Sequence, residues 1–571
     1  MNCVPIRTSE GLKSMELGGP NMKLMPVKLM TVFSLILSVV LATAAQASQR
    51  VIVIMKDQQT FGTANMAYRS HGAYALKNSG MKSSLAKIDG QVEQSLENLN
   101  TLIVNAKDDG EVAKLQADPA VAYVEKEIFH EAPRPVSGWV SFPAANAENV
   151  SVPGQKTPWG ILAVKAPQAW DVSNQGQGAR VLVLDTGIDF NHPSLKANFE
   201  QGHDFTGDSS GDDLTDHVGH GTHVSGTIAG VMDANGFTGV APKAKLLMGR
   251  VCTEQGCSNV AIASGINWGI AQKVDVISMS LGGSMSTPAE RDAVAKADRA
   301  GLTVVAASGN DGSNKVSYPG ALPTVIAVGA VDNTSKKADF SQYGPELAVV
   351  APGVDVISSV PQGTGRESSV TLTVGKNSAK VNSATFQGAR EVLNGESNVL
   401  VEAGLGKPED FNGKDVKGKY ALISRGEISF GDKIKNAMAA GATGAIIYNN
   451  APGLLQGALT QDGSVLPVAV FMIEQTVGQQ LVAALKAGTD VKADVQTVAT
   501  DYASFQGTSM ATPHVAGVAA LIKATNKKLT GAQVKAILKR TATPLGPNSN
   551  NEYGSGLVNA EAAVNAAAQA N

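Results

Sequence analysis

The segment ARVLVLDTGID, residues 179–189, decides the fold. Val181 to Leu184 is an unbroken apolar run. It does not alternate, so both faces of the strand must be covered, as in a parallel sheet clad by helices. The run ends on Asp185, followed by the turn pair Thr186-Gly187. A carboxylate there stands at the carboxyl edge of the sheet, where open α/β folds gather ligands and reactive groups. Taken alone, Asp185 reads equally as a turn or cap residue.

The same rhythm spreads outward. KAKLLMGRV (243–251), VDVISMSLG (274–282), LTVVAASGN (302–310) and PTVIAVGAV (323–331) are further apolar runs. Helix-like stretches such as NVAIASGINWGIAQK (259–273) and PAERDAVAKADRAG (288–301) lie between them. Strand and helix in alternation imply βαβ units and a parallel sheet. The rhythm breaks after Pro361. Residues 362–500 are strand-rich, with GKYALISRG, ATGAIIYNN and LPVAVFMI as apolar runs. It returns at Tyr502 with FQGTSMATPHVAGVAALIKAT and a last helix, GAQVKAILKRTA. One domain is thus inserted into a surface loop of another.

Upstream, residues 48–130 read as a small α+β unit. RVIVIM (50–55) and AVAYVEKEIF (120–129) are its strands, and SSLAKIDGQVEQSLENL (83–99) its helix. Residues 131–158, rich in Pro, Ala and Ser, read as an exposed linker. At the start, Lys23 and Lys28 precede the apolar run 29–41, and Ala45-Gln46-Ala47 fits a signal-peptidase site. Residues 1–47 therefore read as an export leader cut after Ala47, with Met22 as an alternative start. The apolar run is short for a bilayer span, and the mature chain is expected to have none.

The chain has 571 residues, 43% hydrophobic and 17% charged, with a net charge of -3. That suits a globular, multi-domain protein and argues against nucleic acid or an anionic membrane as a partner. No organic cofactor is implied. Of three cysteines, Cys3 leaves with the leader. Cys252 and Cys257 would meet an oxidising compartment and read as a local structural disulfide, with two free thiols as the alternative.

Two further motifs carry chemistry. GHGTHVSG (219–226) places His220 between glycines at the start of a helix; histidines 217, 220 and 223 could share zinc, but the HExxH pattern is absent. GTSMATPHVAG (507–517) sets Ser509 just before a helical run, with Pro513 expected in its first turn. A serine nucleophile needs a base and oxyanion donors. His220 can be the base and Asp185 its orienting carboxylate. The Ser509 N–H and the Asn310 side chain can hold the oxyanion.

DTGID, GHGTHVSG, AASGN and GTSMATPHVAG closely resemble the signature segments of subtilisin-like serine proteases, in that family's order Asp, His, Ser. The resemblance covers Trp159–Pro361 and Tyr502 to about Ala567, including YGSGLVNAEAAV (553–564). It implies a subtilisin-like α/β fold, a parallel sheet with helices on both faces, and a triad of Asp185, His220 and Ser509. It implies an oxyanion hole of Asn310 and Ser509. Ser280, Leu281 and Gly282 would pair with substrate backbone. Ser308, Gly309 and Ser317 would form the first specificity pocket, and with no acid among them an apolar P1 residue is expected. Residues 48–130 resemble the family's inhibitory propeptide, making the chain's own N-terminal unit an expected partner beside protein and peptide substrates. Residues 362–500 resemble a protease-associated (PA) domain, above all Gly418–Asn450.

The resemblance also implies structural calcium. VMDANGFTG (231–239) matches the calcium loop, with the Asp233 side chain and the backbone of Val231, Asn235 and Phe237 as ligands. Ser194 stands where the site usually has a second aspartate, which weakens it. Asp208, Asp212, Asp213 and Asp216 form a second candidate cluster, with a solvated acidic loop as the alternative. The whole reads as a secreted endopeptidase made as a zymogen. A silent relative used for binding is the competing reading.

Overall fold

A computed structural model describes residues 48–56, 92–132, 136–138, 157–208, 211–232, 237–451, 454, 457–460 and 464–570. The expected leader lies outside them, as does most of the expected linker.

The N-terminal unit is an antiparallel sheet of β1 (Gln49–Met55), β2 (Val92–Leu96), β3 (Thr101–Ala106) and β4 (Val121–Lys126), in the order β2-β3-β1-β4. The helix expected over 83–99 is overturned where it is described: Val92–Leu96 is a strand and Glu97–Leu99 a 3₁₀ turn. Leu96 and Leu99 have helical spacing because strand and turn present both to the same neighbour. With Ile52, Ile54 and Ile103 they pack on Val260, Ile262 and Ile266 of the helix Asn259–Gln272. Tertiary packing overrides local propensity here. The other face of the sheet closes over Val51, Val53, Leu102 and Leu115. Glu125 ties the unit down: it accepts from Asn259 Nδ2 at 2.8 Å and from the Ala289 N–H at 3.0 Å, at the starts of two helices.

The chain continues as β5 (Phe129–His130) and β6 (Val136–Gly138). Next come β7 (Arg180–Asp185), β8 (Phe199–Asp204), β9 (Lys245–Arg250), the ribbon β10 (Cys252–Thr253) and β11 (Gly256–Ser258), and then β12 (Val276–Met279), β13 (Thr303–Ala307), β14 (Ile326–Val331) and β15 (Leu347–Pro352). Seven of these form one parallel sheet, ordered β15-β14-β13-β12-β7-β9-β8. Its central strands are wholly buried, as their unalternating sequences require. Strand order reverses at β7, so its carboxyl end, Asp185, lies at the switch point where such sheets open a crevice.

The helix Thr508–Thr525 runs through the core with nearly every residue buried. Gly517 permits this, since a Cβ there would lie 2.5 Å from Val240 Cβ.

Strand β16 (Val356–Ser359) leads into the inserted unit: β17 (Gly365–Val374), β18 (Asn377–Val381), β19 (Ser383–Thr385), β20 (Glu396–Glu402), β21 (Tyr420–Ser424), β22 (Gly444–Tyr448), β23 (Ala469–Ile473) and β24 (Val491–Thr500). These form an eight-stranded sheet with its own cores. Strand β25 (Tyr502–Gln506) returns beside β16, antiparallel from Val356↔Phe505 to Ser359↔Tyr502. Because β17 pairs with β24 from Gly365↔Thr500 outward, the insertion springs from a two-stranded stem.

Candidate functional site

Asp185 closes β7, and His220 opens the helix His220–Ala229. Their meeting depends on close backbone approach. A Cβ on Gly221 would fall 2.2 Å from the Gly187 carbonyl oxygen, and Gly219 takes φ +85°. Asp216 fastens the loop between them. Its carboxylate accepts from Thr186 Oγ1 (2.8 Å), the Gly219 N–H (2.8 Å), the Thr222 N–H (2.8 Å) and Thr222 Oγ1 (2.6 Å). Burial raises the Asp216 pKa, and these four bonds oppose the shift.

His220 Nδ1 lies 2.7 Å from Asp185 Oδ1, with both residues buried. The carboxylate can only accept, so Nδ1 carries the proton and Nε2 presents a lone pair. His223 is elsewhere: its ring stacks on Phe505 and its Nε2 meets the Val356 carbonyl at 2.9 Å. Burial lowers its pKa to about 3. This histidine is part of the core.

Ser509 is the second residue of its helix. Its Oγ donates to the Ser280 carbonyl at 3.1 Å, and among the described residues no hydrogen bond joins it to His220. Pro513 is the sixth residue of the helix, beyond the first turn expected for it. Lacking an N–H, it leaves the Ser509 carbonyl free. Ser280 Oγ takes that carbonyl at 2.8 Å. Serine and cleft wall are thus bonded in both directions.

Asn310 Oδ1 accepts from the Thr508 N–H at 2.9 Å and from Thr508 Oγ1 at 3.0 Å. That turns Nδ2 outward as the free donor. Thr508 Oγ1 also accepts from the Gly309 N–H at 3.2 Å. Thr508 was missed in the sequence because its neighbour Ser509 absorbs the motif's meaning. Gln342 was missed too. Its Oε1 accepts from Ser317 Oγ and the Asp311 N–H, and Ser308 Oγ donates to its carbonyl. A Cβ on Gly309 would lie 1.8 Å from Gln342 Oε1, so glycine there makes room for the glutamine. It lies 33 residues beyond that glycine, with no local signal linking them.

His220, Ser280, Asn310, Gln342, Thr508 and Ser509 line one cleft of about 880 Å³. Leu281 and Gly282 border it with backbone groups unpaired among the described residues, while Gly283 pairs with Tyr318. On the far side β11 pairs with β5, Cys257 opposite His130. Cys252 and Cys257 are disulfide-bonded, Cα–Cα 4.0 Å, across the β10–β11 ribbon. Strand β6 pairs with β25, which leads into Ser509.

The calcium expectation fares differently. Asp208 is clamped by Arg250 at 2.7 and 2.8 Å, Asp212 lies against His203 at 2.5 Å, Asp213 accepts from the Thr215 N–H, and Asp216 is committed as above. These four carboxylates do not converge, and no cluster of metal-ligating side chains occurs among the described residues. Asp233 and Asn235 lie outside those residues. At the described edge of that loop, the Ser194 carbonyl accepts the Val231 N–H and its hydroxyl meets the Tyr502 hydroxyl at 2.7 Å. The side chain expected to hold calcium in that loop, Asp233, thus lies outside the described residues.

Comparison with known proteins places this arrangement. The subtilase family matches residues 176–389 and the PA domain residues 391–481. The chain is 32% identical over 451 residues to the minor extracellular protease Vpr of Bacillus subtilis, covering 68% of this chain and 51% of Vpr. It is 30% identical over 459 residues to an alkaline protease of Alkalihalobacillus alcalophilus, covering 80% of this chain and 77% of that one. The crystal structure of the psychrophilic subtilisin-like protease Apa1 from Pseudoalteromonas sp. AS-11 matches with a TM-score of 0.58 at 29% identity, over 73% of this chain and all of that one. The chain spans about half the length of Vpr and about three quarters of the alkaline protease. It belongs to the subtilase family of serine endopeptidases, with a PA domain inserted in the subtilase fold.

Proposed function

We propose that the protein is a secreted serine endopeptidase, made as a precursor whose N-terminal unit blocks the cleft until it is cut away. The carrying observation is the buried His220–Asp185 contact at 2.7 Å in one cleft with Ser509 and Asn310. Ser509 Oγ leaves the Ser280 carbonyl and attacks the scissile carbonyl while His220 Nε2 takes its proton. Asp185 Oδ2 is buried without a partner among the described residues, so it gains from the positive charge forming on His220. Asn310 Nδ2 and the Ser509 N–H hold the oxyanion. His220 then protonates the leaving amine, and water hydrolyses the acyl-enzyme.

Substrate adds a strand beside Leu281–Gly282. The floor of the first pocket, Ser308, Ser317 and Gln342, is uncharged and internally bonded, which supports an apolar P1 preference. Blocking by residues 48–130 is supported by β5 lying against β11 with His130 and Ala132 lining the cleft. Export is supported by the leader-like residues 1–47. Maturation falls within 131–158.

The test is the intact mass of the exported protein, wild type beside Ser509→Ala. Wild type should lose its first segment up to that region, and the variant should keep it. Identical trimming of both would refute self-processing. A Ser509→Ala protein with normal peptidase activity would refute the triad.

A further inference from the structure

Strand β5 sends the His130 side chain into the body of the protein, where it is 3% exposed. Its Nε2 lies 3.7 Å from Glu290 Oε1, and the Glu290 side chain is fully buried. His130 Nε2 has no hydrogen-bond partner among the described residues, and the Glu290 carboxylate has only loose donors, the Ser286 hydroxyl and the Thr287 backbone. The imidazole lies over Gly283, where a Cβ would come 2.4 Å from His130 Nδ1. A residue without a side chain leaves this space open beside the segment that borders Ser509, and His130 lines the same cleft as Ser509. A buried, poorly satisfied carboxylate at the end of an open-sided pocket is costly unless a cation or a good donor meets it.

Resting on the endopeptidase reading above, we propose that Glu290 is a specificity-determining residue: it selects substrates carrying a basic side chain, imidazolium or ammonium, at the upstream position that His130 fills in the precursor. The N-terminal unit occupies this subsite with the one basic residue it presents there. Other charged groups near the pocket are few. Glu125 of β4 acts on both His130 and Glu290, and Arg291 follows Glu290 on its helix. The Ser286 side chain and the Thr287 backbone lie on its near side. With His130 in place, burial holds the Glu290 pKa up at about 7. Once the N-terminal unit leaves, Glu125 leaves with it and water enters, and both changes favour the carboxylate.

The test uses enzyme produced from the full chain and internally quenched peptides of one sequence. Lys, His, Leu or Ala is placed in turn at each of the first five positions before the scissile bond. At pH 8, one position should show the Lys peptide favoured over the Leu peptide by about tenfold in kcat/KM, mostly through KM. Glu290→Gln should bring that ratio to about one. Should Glu290→Gln not fold, wild type alone decides. A Lys-to-Leu ratio near one at every position in wild type, or a preference that survives Glu290→Gln, overturns the inference alone. Wild-type enzyme that cleaves none of the peptides overturns the endopeptidase reading and this inference together.

Discussion

Thr508→Val isolates the support of the oxyanion hole from the hole itself. Valine keeps the shape of a side chain that is fully buried and removes only the hydroxyl. That hydroxyl makes two contacts: it donates to Asn310 Oδ1 at 3.0 Å and accepts from the Gly309 N–H at 3.2 Å. The Asn310 carboxamide keeps its second restraint, the Thr508 N–H at 2.9 Å. Removing an oxyanion donor outright costs a hundredfold to a thousandfold in turnover, about 2.7–4 kcal/mol, as measured in a subtilisin. Loosening one of two restraints on such a donor should cost less, about tenfold or 1.4 kcal/mol. The loss belongs in kcat with KM nearly unchanged, because Nδ2 meets charge that develops only in the transition state. Orphaning the Gly309 N–H adds about 1–3 kcal/mol of destabilisation. The assay is steady-state kinetics on a peptide substrate for Thr508→Val, Asn310→Ala and the double variant. In the Asn310→Ala background, Thr508→Val should cost little more turnover. Full additivity, or a loss confined to KM, would refute the argument.

Two other outcomes follow from the same geometry. Replacing Cys252 and Cys257 with serine frees the ribbon whose strand β11 pairs with β5, an edge that substrate would take in place of β5 on the proposed reading. KM should rise several-fold, about three- to tenfold, with kcat little changed, and an unchanged KM would show that the ribbon is held without the disulfide. Acid stability is the second. His223 and His514 are buried and neutral, with pKa values lowered to about 3 and about 4 from an ordinary 6.5. Between those limits the unfolded chain binds the protons that the folded one refuses. Stability is therefore intact above pH 6.5 and falls below it by about 1.4 kcal/mol per pH unit for each group. Urea unfolding of the Ser509→Ala protein from pH 7 to 4.5 should show this slope, and His514→Leu should make it shallower; an unaltered slope would place the acid sensitivity elsewhere.

The legible parts of this protein are those where one local pattern has one physical solution. Val181–Leu184 can only be a doubly covered strand, and a carboxylate after it can only stand at the sheet's edge. The glycines around His220 announce backbone contact before the contact is seen. What could not be read depends on partners distant in the chain. Leu96 and Leu99 suggested a helix because sequence spacing records which residues share a neighbour, and here a strand and a turn share one. The acidic stretch 208–216 suggested a metal through its resemblance to calcium-binding stretches ahead of the histidine motif, a likeness that does not show which side chains the carboxylates meet. Arg250, at the end of β9, resolves that for Asp208, while Thr186 and Thr222 claim Asp216.

His130 shows the same limit from the other side. In the sequence it marks only the end of the N-terminal unit, next to a stretch with the composition of a linker. Its meaning comes from Glu290, 160 residues further on and otherwise an ordinary first-turn helix acid. Thr287 caps that helix at the Glu290 N–H, and Glu125 caps it at the Ala289 N–H. The Glu290 side chain reaches the Ser286 hydroxyl and the Thr287 backbone only loosely, and its Oε1 lies 3.7 Å from the imidazole. A carboxylate so weakly held at its helix start, buried under a side chain of a segment that lines the cleft, is explained by what it recognises as well as by what it stabilises. On the proposed reading the N-terminal unit and the substrates compete for one feature of the pocket, so a change at Glu290 should move selectivity and self-inhibition in the same direction.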